Sequence, residues 1–156
     1  MIIGDSSALV SLAVMDCLHL LEMIFDEVYV PKAVYDELVI ENKPQSGQLK
    51  RYLSGRVQHV KSEIEKTGLG KGELEAIALY RQMEADFLLI DDKRARDFAR
   101  LNGVHIIGSL GVLLLAYDKG LITSVEPFLQ KLKDSNIYVS EKLLHKVMNI
   151  IKQKKS

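Results

Sequence analysis

Short apolar segments alternate with helical patterns along this chain, and this alternation restricts its fold more than any other feature. Strands are predicted at residues 1–4, 27–30, 57–60, 87–90 and 104–107. Between them, apolar residues recur at the spacing of one helix face. Strands that alternate with helices form a parallel sheet covered by helices on both faces. The sequence therefore predicts an α/β fold of three layers, α/β/α, with a central parallel five-stranded sheet.

The predicted helices connect these strands and extend the chain beyond the last one. They begin at about Ser6 and then cover residues 17–25, 32–40, 48–53, 73–85, 93–101, 109–118, 125–133 and 140–152. The segment Thr67–Gly72 holds three glycines and is predicted to be the most flexible. Because no long linker interrupts the pattern, residues 1–156 are predicted to form a single domain. Its core covers about residues 1–132, and the helix at about 140–152 is a C-terminal extension.

The composition is that of an ordinary soluble globular protein, with 47% hydrophobic and 27% charged residues. The apolar runs are shorter than the roughly 18 residues that a membrane span needs, so no membrane association is expected. Cys17 is the single cysteine, which excludes an intramolecular disulfide and is typical of a reducing compartment. The predicted location is the cytoplasm.

Basic and acidic residues balance at 21 each, which argues against binding of nucleic acid by bulk charge. Two local basic clusters could still contact phosphates. They comprise Lys93, Arg94, Arg96 and Arg100, and, near the C-terminus, Lys146, Lys152, Lys154 and Lys155. The alternative is that both are solvated surface, because exposed basic residues are common.

Acidic residues follow two of the predicted strands directly. Asp5 comes after the first strand, and the pair Asp91 and Asp92 after the fourth. The carboxyl ends of parallel strands share one edge of the sheet, where ligands bind in open α/β folds. Glu37 lies in the helix after the second predicted strand, and Glu73 at the start of the helix before the fourth. Carboxylates that meet there would repel unless a cation neutralised them, and a site of oxygen donors suits Mg²⁺ or Mn²⁺.

Each acid also has a purely structural interpretation. Asp5 can cap the first helix, and Asp91 or Asp92 can cap the helix that starts near residue 93. Glu73 lies in a first helical turn, where the helix dipole favours a negative charge. Glu75 follows two positions later and points to another face, so only one of the two glutamates can be central to a site. Taken singly, the acids favour these structural roles, whereas together they indicate a shared metal site.

Four motifs carry a further clue through their order along the chain. They are Asp5-Ser6-Ser7-Ala8-Leu9, Val34-Tyr35-Asp36-Glu37-Leu38, Gly72-Glu73-Leu74-Glu75-Ala76-Ile77 and Leu89-Ile90-Asp91-Asp92. Their order and spacing resemble those of PIN domains, and the chain is similar to the short VapC-type toxins of prokaryotic toxin–antitoxin pairs. The resemblance covers about residues 1–132, and residues 108–114 and 119–122 resemble a less-studied branch of that superfamily.

The resemblance implies a metal-dependent endoribonuclease that hydrolyses RNA phosphodiester bonds with Mg²⁺ or Mn²⁺. Asp5 matches the first-strand aspartate, Glu37 the second acid, and Glu73 the third acid, where the toxins more often carry aspartate. The last acid is Asp91 or Asp92, and both stay open. Asp5 and the last acid would hold the metal, and Glu73 would bind it directly or through water. Glu37 would orient the attacking water or a second ion.

The resemblance also implies further contacts. Ser6 matches the small hydroxyl residue that follows the first aspartate and is expected beside the metal ligands. Lys93, Arg94 or Lys71 could position the RNA backbone. Expected partners are RNA, an antitoxin protein and a second copy of the chain. Apolar residues near Leu143, Leu144 and Val147 are a candidate dimer contact, and packing in the core explains them equally well.

Two alternatives to the nuclease differ in class. A phosphotransfer enzyme of the haloacid-dehalogenase type would need a second aspartate two residues after Asp5, where Ser7 stands. A PIN-like module that binds RNA or protein without cleaving it also fits the neutral charge and the glutamate at position 73. Cleavage of RNA that depends on Asp5 would separate the nuclease from the binding module.

Overall fold

A five-stranded, all-parallel sheet forms the centre of the computed structural model, which describes residues 1–40, 42–61, 69–137 and 139–155. The strands are β1 (Ile2–Gly4), β2 (Val28–Pro31), β3 (Val57–Gln58), β4 (Phe87–Leu89) and β5 (Ile106–Ile107). Their order across the sheet is β3-β2-β1-β4-β5. The predicted parallel sheet is confirmed, with β3 at one edge as expected.

Helices connect the strands and continue to the C-terminal region. They are α1 (Ser6–Val14), α2 (His19–Phe25), α3 (Lys32–Leu38), α4 (Ser46–Tyr52), α5 (Lys71–Gln82), α6 (Lys93–Leu101), α7 (Ser109–Asp118), α8 (Glu126–Lys133) and α9 (Glu141–Lys155). Each corresponds to a predicted helix; α6 and α7 have the predicted bounds, whereas others differ at one or both ends. The predicted glycine-rich segment begins with Thr67 and Gly68, which lie outside the described residues.

The three layers arise because the central strands bury both of their faces. Ile2 and Leu89 belong to the core beneath α1, α2 and α7, whereas Ile3, Leu88 and Ile90 belong to the core beneath α5 and α6. All five side chains are fully buried. Successive strand residues point to opposite faces, so a strand buried on both sides is an uninterrupted apolar run. The α/β/α arrangement predicted from sequence is confirmed.

The C-terminal helix packs onto the first of these cores. Val147 and Ile151 of α9 are buried there, while Leu143 remains 44% exposed. Among the described residues, no single helix is both long and apolar enough to cross a membrane. Helices α1 and α2 reach that length only together, and they are bent by 115° at their junction. Asp16, with φ 55°, lies at this bend, which the helical pattern of the sequence did not reveal.

The sheet order creates a crevice at the end of β1. From β1 the chain adds β2 and β3 on one side, and later adds β4 and β5 on the other. The connection that leaves β1 therefore runs towards β2, and the connection that leaves the neighbouring β4 runs in the opposite direction, towards β5. In open α/β sheets such a switch point, at the carboxyl ends of the strands, is where ligands bind. Asp5 follows β1 and the Asp91–Asp92 pair follows β4, so all three lie at this switch point.

Candidate functional site

Asp5 is the buried centre of the candidate site. Its residue is only 3% exposed, and although it occupies the N-cap position of α1, its side chain makes no capping hydrogen bond to that helix. Burial raises the pKa of this carboxyl from 3.8 to about 7. The backbone N–H of Ser6 opposes the rise, while the negative charges of Glu73, Glu37 and Asp92 add to it. Asp5 is therefore surrounded by other carboxylates, and capping of α1 does not account for it.

Glu37 is held beside Asp5 by contacts with two other helices. The Ser6 hydroxyl at the start of α1 donates a hydrogen bond of 2.6 Å to Glu37 Oε2. On the other side Glu37 lies against Gly72 of α5, where an added Cβ atom would be 2.6 Å from Oε1. Lys43 Nζ donates to the backbone carbonyl of Glu37 at 3.2 Å. The Glu37 carboxylate consequently occupies space that only glycine at position 72 leaves open.

Helix α5 directs its two glutamates to different partners. Burial raises the pKa of Glu73, and Asp92 and Glu37 raise it further, so this side chain faces the acidic cluster. The backbone N–H of Gly70 and the charge of Arg94 oppose part of that rise. By contrast, Glu75 is buried and accepts a hydrogen bond of 3.3 Å from the backbone N–H of Ala33 in α3.

The two adjacent aspartates after β4 also separate. Asp91 accepts two hydrogen bonds of 2.7 Å from Ser109, one from its backbone N–H and one from its hydroxyl, and so ties β4 to the start of α7. Asp92 caps α6 by accepting a hydrogen bond of 3.0 Å from the backbone N–H of Ala95. Asp92, not Asp91, is among the charges that raise the pKa of Asp5. Of the pair, Asp92 therefore belongs to the carboxylate cluster electrostatically.

A cleft of about 980 Å³ opens next to this cluster. Its acidic end is lined by Ser6, Glu37, Asp91, Asp92 and Arg96. The remainder is largely apolar and runs between α1, α4, α7 and α9, with Lys43 and Lys146 among its lining residues. The cleft is far larger than a single metal ion needs, and it places Glu37, Asp91 and Asp92 beside this apolar surface.

The chemistry of these donors fits a hard divalent cation. Asp5, Glu37, Glu73 and Asp92 offer only carboxylate oxygens, and their mutual repulsion would be relieved by a cation. Within the described residues, no group of three acidic, histidine or cysteine side chains is placed to hold one ion. Mg²⁺ keeps several water ligands and is commonly bound through one or two carboxylates, so the cluster is compatible with Mg²⁺.

Of the basic residues predicted to contact phosphates, Arg96 and Lys146 line the cleft, whereas Lys93, Arg94, Arg100 and Lys71 lie outside its lining. Lys93, Arg94 and Lys71 are exposed, and Lys71 lies 3.9 Å from Glu75. In the C-terminal cluster, Lys146 lines the cleft and Lys154 pairs with Asp118 at 2.7 Å, while the side chain of Lys155 is outside the description.

Sequence reasoning gave no individual role to two residues that define the site, Arg96 and Gly72. Arg96 lies four positions after Asp92, the N-cap of α6, and its backbone N–H donates a hydrogen bond of 2.9 Å to the Asp92 carbonyl. Gly72 directly precedes Glu73 within a helix, where glycine is unfavourable unless space requires it. Both signals are present in the sequence.

A family model described as a PIN domain matches residues 1–153 of the chain. This chain belongs to the PIN-domain family. Comparison with curated proteins found no match, and neither did comparison with solved structures. PIN domains have a nuclease-type function in general and typically depend on Mg²⁺ or Mn²⁺. The acidic cluster of this PIN domain lies at the switch point of its sheet, where such chemistry would take place.

Proposed function

We propose that this PIN-domain protein is a metal-dependent endoribonuclease that hydrolyses phosphodiester bonds of RNA with Mg²⁺ or Mn²⁺. One observation carries the proposal: carboxylates from four separate parts of the chain meet at the switch-point crevice. Asp5 follows β1, Glu37 lies in α3, Glu73 in α5, and Asp92 follows β4. The charges of Glu37 and Asp92 raise the pKa values of Asp5 and Glu73, and a cation shared by the four carboxylates would offset this repulsion.

The residues would divide the work as follows. Asp5 and Asp92 would hold the ion, and Glu73 would bind it through a water ligand. When bound, the ion supplies Lewis acidity at the phosphate and lowers the pKa of water. Glu37, oriented by its 2.6 Å hydrogen bond from Ser6, would accept the proton of the attacking water. The cleft beside the cluster has room for the RNA strand.

The direct test is cleavage of a labelled single-stranded RNA by the purified protein. We expect cleavage with Mg²⁺ or Mn²⁺, none with EDTA, and none with Asp5→Asn under either condition. RNA loss that is equal for both proteins and insensitive to metal would overturn the proposal. Metal-dependent binding without any cleavage would instead support the non-catalytic binding module.

The toxin role and the protein partners are the finer part of the proposal. The largely apolar part of the cleft, with Lys43 and Lys146 in its lining, suits an amphipathic helix that carries acidic residues, as an antitoxin segment could provide. If the protein is a toxin, induced expression should arrest growth, and Asp5→Asn should not. The predicted dimer contact near Leu143 stays a prediction, although Val147 of the same helix is buried and is not available for it.

A substitution at Gly72 tests whether the position of Glu37 matters. Because an added Cβ would lie 2.6 Å from Glu37 Oε1, Gly72→Ala must displace that carboxylate and break its contact with Ser6. We expect the rate of RNA cleavage to fall by about tenfold. Loss of a general base typically costs about a hundredfold or more, and here the carboxylate is displaced but still present. The melting temperature should not fall, because the Glu37 carboxylate is at the end of a flexible side chain and can move. Alanine is also favoured over glycine in helices by about 1 kcal/mol.

Gly47→Ala is the matched control. Gly47 occupies the second position of α4, as Gly72 does in α5, and an added Cβ would meet only Arg51 Nη1, at 3.5 Å. This variant should gain the same helix preference and cleave RNA at the wild-type rate. Equal activity of both glycine variants would show that the Glu37 carboxylate has no role in cleavage.

A further inference from the structure

Arg96 is fixed at the acidic end of the cleft by its packing. It lies one helical turn after Asp92 on α6 and is half-buried. Its guanidinium lies against Gly108, at the turn between β5 and α7, where an added Cβ would be 2.5 Å from Nη1. The same glycine is close to Asp91 Oδ1, and all three residues line the cleft. The turn between β5 and α7 therefore holds the guanidinium of Arg96 beside the carboxylates.

The guanidinium has no anionic partner within the described part of the chain. Arg100 Nη1, on the same helix, lies 3.8 Å from Asp97 Oδ1, whereas the guanidinium of Arg96 forms neither an ion pair nor a hydrogen bond with any described residue. The nearby Asp91 is engaged through both of its oxygens by Ser109. The guanidinium N–H donors of Arg96 are therefore not taken up by the described carboxylates, and they are placed to bind an anionic ligand at the acidic end of the cleft.

We propose that Arg96 binds a backbone phosphate of single-stranded RNA at the acidic end of the cleft. This inference rests on the proposed nuclease function and assigns a substrate-binding residue to it. A guanidinium donates paired hydrogen bonds in a geometry that matches phosphate oxygens. Arg96 would also offset the repulsion that Glu37, Asp91 and Asp92 exert on an approaching phosphate. The exposed Lys93 and Arg94 are not in the cleft lining and would not replace it.

RNA binding measured in EDTA tests this role without catalysis. The probe is a short fluorescently labelled oligouridylate, and its affinity is followed by anisotropy over a range of salt concentrations. Arg96→Ala should weaken binding about tenfold, as expected for loss of a charge-assisted contact. The slope of log affinity against log salt should become shallower by about 0.7, the value for one phosphate contact on a single strand. Arg96→Lys should restore the slope and recover part of the affinity.

Arg100→Ala is the matched control on the same helix. Arg100 is exposed, pairs with Asp97 and lies outside the cleft lining, so its removal should change neither affinity nor slope. Circular dichroism melting curves verify that each variant is folded. An Arg96→Ala protein that is folded and binds RNA with wild-type affinity and slope would overturn the proposal.

The outcomes also separate this proposal from the nuclease function. If the wild-type protein cleaves RNA and Arg96→Ala binds it normally, the Arg96 assignment is wrong and the nuclease function stands. If the wild-type protein binds the probe through Arg96 but cleaves no RNA with either metal ion, the nuclease function is wrong and Arg96 serves a binding module. A wild-type protein that does not bind the probe would refute the Arg96 proposal.

Discussion

At about pH 8 and without divalent cations, Asp5→Asn is expected to melt at a higher temperature than the wild-type protein. Its rate of RNA cleavage should nevertheless fall by about a thousandfold or more. The reason for the stabilisation is that the folded protein holds Asp5 buried among Glu37, Glu73 and Asp92, which raises its pKa to about 7. In the unfolded chain this carboxyl ionises near its ordinary value of 3.8. Ionising it in the folded state above pH 7 therefore costs stability.

The pH dependence follows from the direction of this pKa. Between the two pKa values the folded state keeps a proton that the unfolded state has released, so stability falls as pH rises from about 4 to about 7. The full difference corresponds to about 4 kcal/mol, which for a chain of this size is roughly 8–16 °C in melting temperature. Asparagine cannot ionise, so the advantage of Asp5→Asn should be greatest at about pH 8 and should vanish near pH 4.

Mg²⁺ should reverse part of this difference. An ion that binds only the folded wild-type protein raises its melting temperature by mass action, whereas Asp5→Asn should respond much less. Asp97→Asn, which changes a 55% exposed carboxylate on α6, serves as the control and should match the wild type throughout. A lower melting temperature for Asp5→Asn than for the wild type at about pH 8 would mean that ionised Asp5 does not destabilise the folded protein.

The convergence of the acids could be predicted from sequence because it depends only on topology. Asp5 and the pair at positions 91 and 92 directly follow apolar segments of strand length, and parallel strands bring such ends to one edge. The helical period also predicts, from the sequence alone, that Glu73 and Glu75 lie on different faces of their helix. Burial of Glu75 against the Ala33 N–H agrees with that separation.

The rest depends on contacts between segments that are distant in sequence. Arg96 is oriented by Gly108, which reaches it only because β5 pairs with β4. The separation of α1 from α2 depends on Asp16, which adopts a positive φ of 55° that the helical pattern does not encode. The sequence also could not show which of Asp91 and Asp92 joins the acidic cluster, or that Glu37 fills the space beside Gly72. Both depend on residues that pack there from other parts of the chain.

The doublet at the end of β4 gives the second large effect. Asp92→Asn is expected to reduce RNA cleavage about a hundredfold, because it removes a charge that faces Asp5 and Glu73. Its stability should be unchanged or higher, since asparagine is as good an N-cap as aspartate and the hydrogen bond from Ala95 is kept. Cleavage rates and melting temperatures of the same preparations provide the measurement.

Asp91→Asn should show the opposite pattern. Both oxygens of Asp91 accept hydrogen bonds from Ser109, and an asparagine side chain offers only one acceptor oxygen in their place. We expect a loss of about 1 kcal/mol in stability, or roughly 2–4 °C in melting temperature, with cleavage within about threefold of wild type. If Asp91→Asn instead abolished cleavage while Asp92→Asn retained it, Asp91 would have to exchange Ser109 for the ion, and Asp92 would serve only to cap α6. Two adjacent carboxylates of equal charge thus have separable roles, because one is already satisfied by the protein and the other faces the acidic cluster.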